Sequence, residues 1–558
     1  MLKREILKRL IGILLALAAV VGAYMFFTGF RYRIHISYPA GFYDKDIEIE
    51  ASIFQDGDIY YTLDGTEPAP DKAGSEHYEM PIRLDAHAQE SVTTIKWKAY
   101  FKNGNTSKTV TNTYVVGKNV EDRFSTYMVS ISTDPDNLYG YENGIFVEGK
   151  VRDDYIKENP HEAIDPLTPA NYTVRGSVSE RAVYVEMFEK DGTRIIAQDC
   201  GIRTGGDFSR ASEQKPFRLF AREELYGLNE FSYHFFDIEK EESALLSGYT
   251  GFSTLYFRNS GNDCQEAYIR DEVAQTMAKK AGFLDTQYFV PVSVYINGEY
   301  SGFYWMHSQY NQSYFKQRYG KYDGDMVVIG DGEKDMDTST EDILVNHYAA
   351  EYMEQYQYFA KQDLTDEQIY DKLNAFIDIE NYLQYYALQI YMGNQDWPYC
   401  NLQAYRYVSS KKNYTEGTVF DGRYRYLLYD VDTSMGRGCI RENMDPWVSV
   451  NKLQNLLDSE DAPLFKALMR RTDCQQYFTQ YMCYLIDEVY TPENVAATVD
   501  TIDASRRQEI DYYIEDMWGY KPGEYQYLDM QLDAIKAWSE VNGDPMKFKL
   551  QELWGFVL

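Results

Sequence analysis

What most constrains the fold of this chain is a change of hydrophobic period part-way along it. Between Tyr32 and Met306 apolar residues alternate in short runs, broken by turn dipeptides such as Asp56-Gly57, Asp64-Gly65 and Asn103-Gly104. That is the pattern of strands with one face buried. From Thr338 to Leu558 the spacing turns mostly helical, interrupted by one hairpin. Strands first and helices later imply an α+β fold rather than an alternating βαβ one. A length of 558 residues exceeds one core and suggests three to four units of about 150 residues. We divide the sequence into 1–31, 32–118, 124–335 and 336–558.

The first segment carries Lys3, Arg4, Lys8 and Arg9, followed by the uncharged run Ile11 to Phe30. At 1.5 Å per residue such a run crosses a bilayer once, with the basic tip in the cytoplasm and the bulk of the chain extracytoplasmic. Arg31 and Arg33 reduce the charge bias. A cleaved signal peptide is the rival reading, because Ala16, Ala18 and Ala19 are small, but the apolar run continues beyond them. A formal net charge of −32 argues against nucleic acid as a partner. Six cysteines without a CxxC or metal-ligand spacing support neither a disulfide framework nor a zinc site.

Strands are expected at Tyr127–Ile131, Ala182–Met187 and Val292–Ile296, the last followed by an Asn297-Gly298 hairpin turn and Tyr300–Met306. Tyr268–Ala281 reads as a helix, with Gly282 as its stop. Asp378 caps a further helix whose Ile379, Tyr382, Leu383, Tyr386 and Ile390 form an apolar face, and Gly393 ends it. The polar loop Asn394 to Asn401, two strands (Leu402–Tyr407 and Tyr424–Tyr429) and Asp430-Val431-Asp432 follow.

This order is that of a phosphoryl-transfer site, which needs a carboxylate to orient the attacking hydroxyl and oxygen ligands for Mg²⁺. Asp396 and Asn401 have the Asp-x4-Asn spacing of a kinase catalytic loop, and Asp430 or Asp432 stands where a metal-binding aspartate belongs. Read singly, Asp396 and Asn401 are equally turn caps, and Asp430 and Asp432 solvent-facing acids at a strand end. Upstream, Arg203, Arg210, Lys215, Arg218 and Arg222 form a basic island around Gly205-Gly206, suited to a polyphosphate or else to salt bridges on a solvated strand face.

Two resemblances gather these segments. Ile59 to Pro68, with Pro81-Ile82 and Ile95 to Ala99, resembles the chitobiase/hexosaminidase C-terminal-type β-sandwich. There the Asp-Gly is a hairpin turn, and Tyr60 or Tyr61 is a candidate platform for a glycan. Gly201–Arg222, Leu255–Asp263 continuing to Arg270-Asp271, Pro291–Tyr304, Gly393–Asn401 and Asp430–Asp432 resemble CotH-type proteins, in the family's order, from about residue 124 to the C-terminus. The resemblance implies a bilobal atypical protein-kinase-like fold, with a β-rich N-lobe (124–335) and a helical C-lobe (336–558), preceded by the membrane-spanning helix and the sandwich.

It further implies use of ATP and Mg²⁺ or Mn²⁺ to phosphorylate serine on secreted or spore-coat proteins. Carried over by position, Asp396 is the catalytic aspartate. Asn401 and Asp430 are metal ligands, with Asp432 as second choice. Lys215 pairs with phosphate, and Arg203, Ser209 and Arg210 contact the nucleotide phosphates. The carboxylate partner of Lys215 is Glu186 or Asp271. One departure stands out: His307-Ser308 follow the Gly302-Phe303-Tyr304 motif where the family carries an acid. The competing readings are a kinase-like scaffold for coat or surface assembly and, on the strength of the first module, a glycoside hydrolase.

Overall fold

The computed structural model describes residues 31–240, 251–331 and 342–556, together with positions 17, 245 and 248. All of the expected span Ile11–Phe30 except Leu17 lies outside the described residues. Among those described, no helix is long and apolar enough to cross a membrane. The six cysteines are free thiols. The chain forms two compact units, one of residues up to 151 with 181–200 and 293–301, the other of residues 152–180, 201–292 and 302–558.

The first unit is built on a small sandwich. Strands β1 (Gly57–Thr62), β2 (Ser91–Phe101) and β3 (Val110–Val116) pair antiparallel in sequence. Alternation along β2 buries Ile95, Trp97, Ala99 and Phe101 against Ile47, Ile49 and Ile59. The turn after β1 is set by Asp64, whose Oδ1 accepts from the Thr66 amide at 3.0 Å. Tyr61 packs on Trp97 with ring centroids 5.4 Å apart, and Tyr60 lies 5.2 Å from the His77 ring. β4 (Tyr127–Ser132) and β5 (Arg181–Phe188) pair antiparallel in the same unit. There Glu186 is buried against Arg194.

In the second unit the end of β6 (Arg194–Thr204) pairs with β7 (Phe217–Phe220), and β7 with β8 (Thr254–Arg258). Period-two alternation sends Phe217, Leu219, Leu255 and Phe257 into the core and leaves Arg218, Tyr256 and Arg258 on the opposite face. β9 (Phe289–Ile296) and β10 (Glu299–Ser308) flank Asn297 and Gly298, both with positive φ as a tight hairpin requires. β10 then borders β8.

Helix α1 (Arg270–Lys280) starts where Asp263 accepts from the amides of Ile269 and Arg270 at 2.8 and 2.9 Å. β11 (Asp325–Asp331) pairs with β12 (Leu402–Val408), and β12 with β13 (Arg425–Leu427). The second strand of the expected hairpin is thus shorter than Tyr424–Tyr429.

Around this sheet lie α2 (Ile343–Ala360) and α3 (Ile379–Met392), followed by α4 (Val448–Asp458), α5 (Pro492–Trp518) and α6 (Gln526–Val541). Asp378 caps α3 and Gly393 ends it in the left-handed conformation. Tyr386 on α3 anchors the next loop by packing edge-to-face against Trp397, with centroids 4.6 Å apart.

Candidate active site

The second unit holds a cleft of about 820 Å³, into which three stretches of chain deliver carboxylates and amides. The loop after α3 brings Asp396 and Asn401. The turn after β13 brings Asp430 and Asp432. The turn after β8 brings Asn262. Asn401 and Asp430 both have positive φ, conformations that Asn and Asp tolerate better than most residues. The Asn401 side-chain amide reaches the Asp430 carbonyl at 3.5 Å.

Asn262 ties the acids together. Its Nδ2 lies 3.5 Å from Asp396 Oδ2 and 3.4 Å from Asp432 Oδ1, while its backbone N–H donates to Asp432 Oδ2 at 3.0 Å. Gly261 leaves room for this approach: a Cβ there would sit 2.1 Å from Asp432 Oδ2. Arg258, at the end of β8, bridges the pair, with Nη2 at 2.6 Å from Asp430 Oδ1 and 3.2 Å from Asp432 Oδ2. Its Nη1 lies 3.4 Å from Asp271 Oδ2.

Burial and crowding set the protonation chemistry. Desolvation, then the Asp430 charge, raises the pKa of Asp396. The same two causes push Asp432 well above the ordinary aspartate range. Burial works against the charge of Arg258, but Asp430 and Asp271 outweigh it and hold the guanidinium firmly protonated. Lys452 of α4 donates to the Trp397 carbonyl, and its pKa falls to about 8 through desolvation. It thereby braces the loop that carries Asp396. Carboxylate and amide oxygens are the hard donors that Mg²⁺ and Mn²⁺ prefer, so Asp430, Asp432 and Asn401 fit a divalent cation.

Of the residues singled out for phosphate, Ser209 lines the cleft and the others have structural partners. Lys215 donates to the Ser212 carbonyl at 2.8 Å and lies 4.4 Å from the centroid of the Tyr172 ring. Arg203 pairs with Glu180 at 2.8 Å, and Arg222 with the same carboxylate at 3.2 Å. Arg210 is buried, donating to the Gly206 carbonyl at 2.6 Å and to Thr204 Oγ1 at 3.1 Å. Of the basic island only Arg218 lines the cleft, stacked 4.1 Å from the Tyr256 ring centroid. The two candidate partners of Lys215 have other engagements, Glu186 with Arg194 and Asp271 facing Arg258.

Sequence reasoning gave no role to Arg258, Asn262, Arg437 or Lys452. The first two stand in the polar run Arg258–Asp263 directly after a strand, a signal open to use. Arg437 and Lys452 carry no local signal. At the departure from the motif, His307 Nε2 and Glu272 Oε1 are 2.8 Å apart and wholly buried. Desolvation takes the His307 pKa down to about 3 and raises that of Glu272, so the pair is an interior hydrogen bond between neutral groups.

A family model described as CotH kinase protein matches residues 202–544, more than half of the chain. The chain belongs to the CotH kinase family. Every residue of the Asp396, Asn401, Asp430 and Asp432 set, with Asn262 and Arg258, falls inside that match. A second model, described as Fn3 associated, matches residues 47–114 in the sandwich. No curated protein matches the chain.

Proposed function

We propose that this protein is an ATP- and Mg²⁺-dependent kinase that phosphorylates serine hydroxyls of secreted or spore-coat proteins outside the cytoplasm. The observation that carries the reading is the convergence of Asp396 and Asp432 on the single amide of Asn262, beside Asp430 and within a cleft whose walls also bear Arg218 and Arg437. Family membership supports it. The basic tip and apolar run at the start of the sequence support an anchored, outward-facing chain, and the sandwich suits attachment to a glycan or a coat component.

Asp430, Asp432 and Asn401 would hold the divalent cation, which supplies neutralising charge for the nucleotide phosphates. Asp396 accepts the hydrogen bond of the acceptor hydroxyl and aims its oxygen at the terminal phosphorus. As the new O–P bond forms and the bond to the bridging oxygen breaks, the hydroxyl proton passes to the Asp396 carboxylate. Its raised pKa suits that transfer. Ser209 and Arg218 face the phosphates from the β7 side of the cleft.

The test is nucleotide binding with Mg²⁺ or Mn²⁺, alongside transfer of labelled phosphate to a serine-rich acceptor. Asp430→Ala should abolish metal-dependent nucleotide binding. Asp396→Ala should keep binding and lose transfer by about 10²–10⁴-fold. A wild-type protein that binds no nucleotide with any metal would overturn the kinase reading in favour of a scaffold.

A further inference from the structure

Arg258 places a fixed positive charge where the proposed function puts a divalent cation. Its guanidinium already occupies Asp430 Oδ1 and Asp432 Oδ2, and a cation held by the same two carboxylates must displace it or share them with it. The guanidinium is largely buried, 4% exposed at the wall of the cleft. A displaced arginine that stays in this largely buried position needs a second seat beside another carboxylate, since an unpaired buried charge is strongly disfavoured.

The structure provides one. Asp271 Oδ2 is buried and makes no hydrogen bond among the described residues, yet lies 3.4 Å from Arg258 Nη1, too far for a good charge-assisted contact. The other Asp271 oxygen is engaged: Oδ1 accepts from Gln275 Nε2 at 3.2 Å and faces the Val431 amide at 3.4 Å. Asp271 is thus fixed against the backbone between the two ligand aspartates, with one oxygen left over. Arg258 Nε likewise has no hydrogen-bond partner among the described residues, so the guanidinium keeps a donor in reserve for a second arrangement.

We infer that Arg258 is an internal counter-cation with two seats. It holds Asp430 and Asp432 together while the site is empty and shifts onto Asp271 when a divalent cation binds. The inference rests on the reading of Asp430 and Asp432 as metal ligands. It makes Arg258 and Asp271 positioning residues that set metal affinity without touching the ion. In the empty protein the guanidinium keeps two crowded carboxylates from repelling each other, so the site stays formed. On loading, Asp271 takes over the positive charge.

The two seats predict opposite effects of two substitutions in the full chain, measured as Mn²⁺ affinity from the free-ion electron paramagnetic resonance signal, without nucleotide. Asp271→Asn removes the second seat's charge and should weaken Mn²⁺ binding. Arg258→Gln removes the competitor and should tighten it. Each shift is expected within the range of about 5–150-fold typical of coupled sites. Arg258→Lys, which keeps the charge but cannot span two carboxylates, should also tighten binding. It serves as the readout if Arg258→Gln does not fold by thermal denaturation. Shifts of the same sign, or no shift in either variant, would overturn the two-seat inference while leaving the metal site standing. A wild-type protein that binds no Mn²⁺ with or without nucleotide would overturn the metal reading itself, and the inference with it.

Discussion

Replacing Gly261 with alanine probes the acidic cluster through a single added methyl group. Two costs are separable. Gly261 has φ +54, where an L-residue is disfavoured by about 1–2 kcal/mol. The new Cβ would also sit 2.1 Å from Asp432 Oδ2, whereas carbon and oxygen rest about 3.3–3.6 Å apart, so the carboxylate must retreat by about 1 Å. That oxygen is the one held by Arg258 Nη2 at 3.2 Å and the Asn262 amide at 3.0 Å, and the retreat breaks at least one of these contacts.

Loss of the hydrogen bond from the Asn262 amide, which positions this carboxylate and contributes about 1.5–3 kcal/mol, leaves Asp432 out of place and should weaken metal-dependent nucleotide binding by about 10–150-fold. Gly227 supplies the control. It has φ +84, and no atom of the described residues lies within 4 Å of its ideal Cβ. Gly227→Ala should therefore show the backbone cost alone, as a fall in melting temperature with unchanged binding. Isothermal titration with Mn²⁺ and nucleotide, beside thermal denaturation of both variants, decides the matter. If Gly261→Ala binds within twofold of wild type, the placement of Asp432 in the binding cluster is refuted.

Glu186 gives a pH dependence to the first unit. Desolvation, only partly offset by Arg194, raises its pKa to about 7 from 4.5, so its protonated form is favoured by folding. The associated stability is fully present below about pH 4.5 and disappears as pH rises through about 7, a loss on the order of 3 kcal/mol. Glu186→Gln should flatten that decline in denaturant titrations between pH 5 and 8, and an unchanged slope would contradict it. Arg270 is fully buried, between Asp263, Glu266 at 3.1 Å and Gln531 at 2.7 Å. Arg270→Met leaves the Asp263 charge buried without its guanidinium and should cost about 3–5 kcal/mol by chemical denaturation. Adding Asp263→Asn should recover part of the loss, and no recovery would mean that packing rather than charge is responsible.

Local physics made much of this protein legible in its sequence. The cap at Asp378 and the stop at Gly393, the Asn297-Gly298 turn, and the strands at Tyr127, Ala182 and Leu402 each follow from a few neighbouring side chains meeting their own backbone. The order of Asp396, Asn401, Asp430 and Asp432 was readable for the same reason, since those residues flank elements that the hydrophobic period defines. The basic island shows the limit of such reading. Arg203, Arg210 and Arg222 look alike to Arg218 in sequence, and only the register of β7 with β8, together with the positions of Glu180 and the Thr204 and Gly206 acceptors, decides which guanidinium faces the cleft. Arg258 and Asn262 meet Asp430 and Asp432 across more than 160 positions of chain, with Asp271 beside them. A chain states its hydrophobic period locally, but which buried charge faces which is settled when distant segments share one low-dielectric interior, because there each ion must find its counter-ion among whatever the fold has brought near.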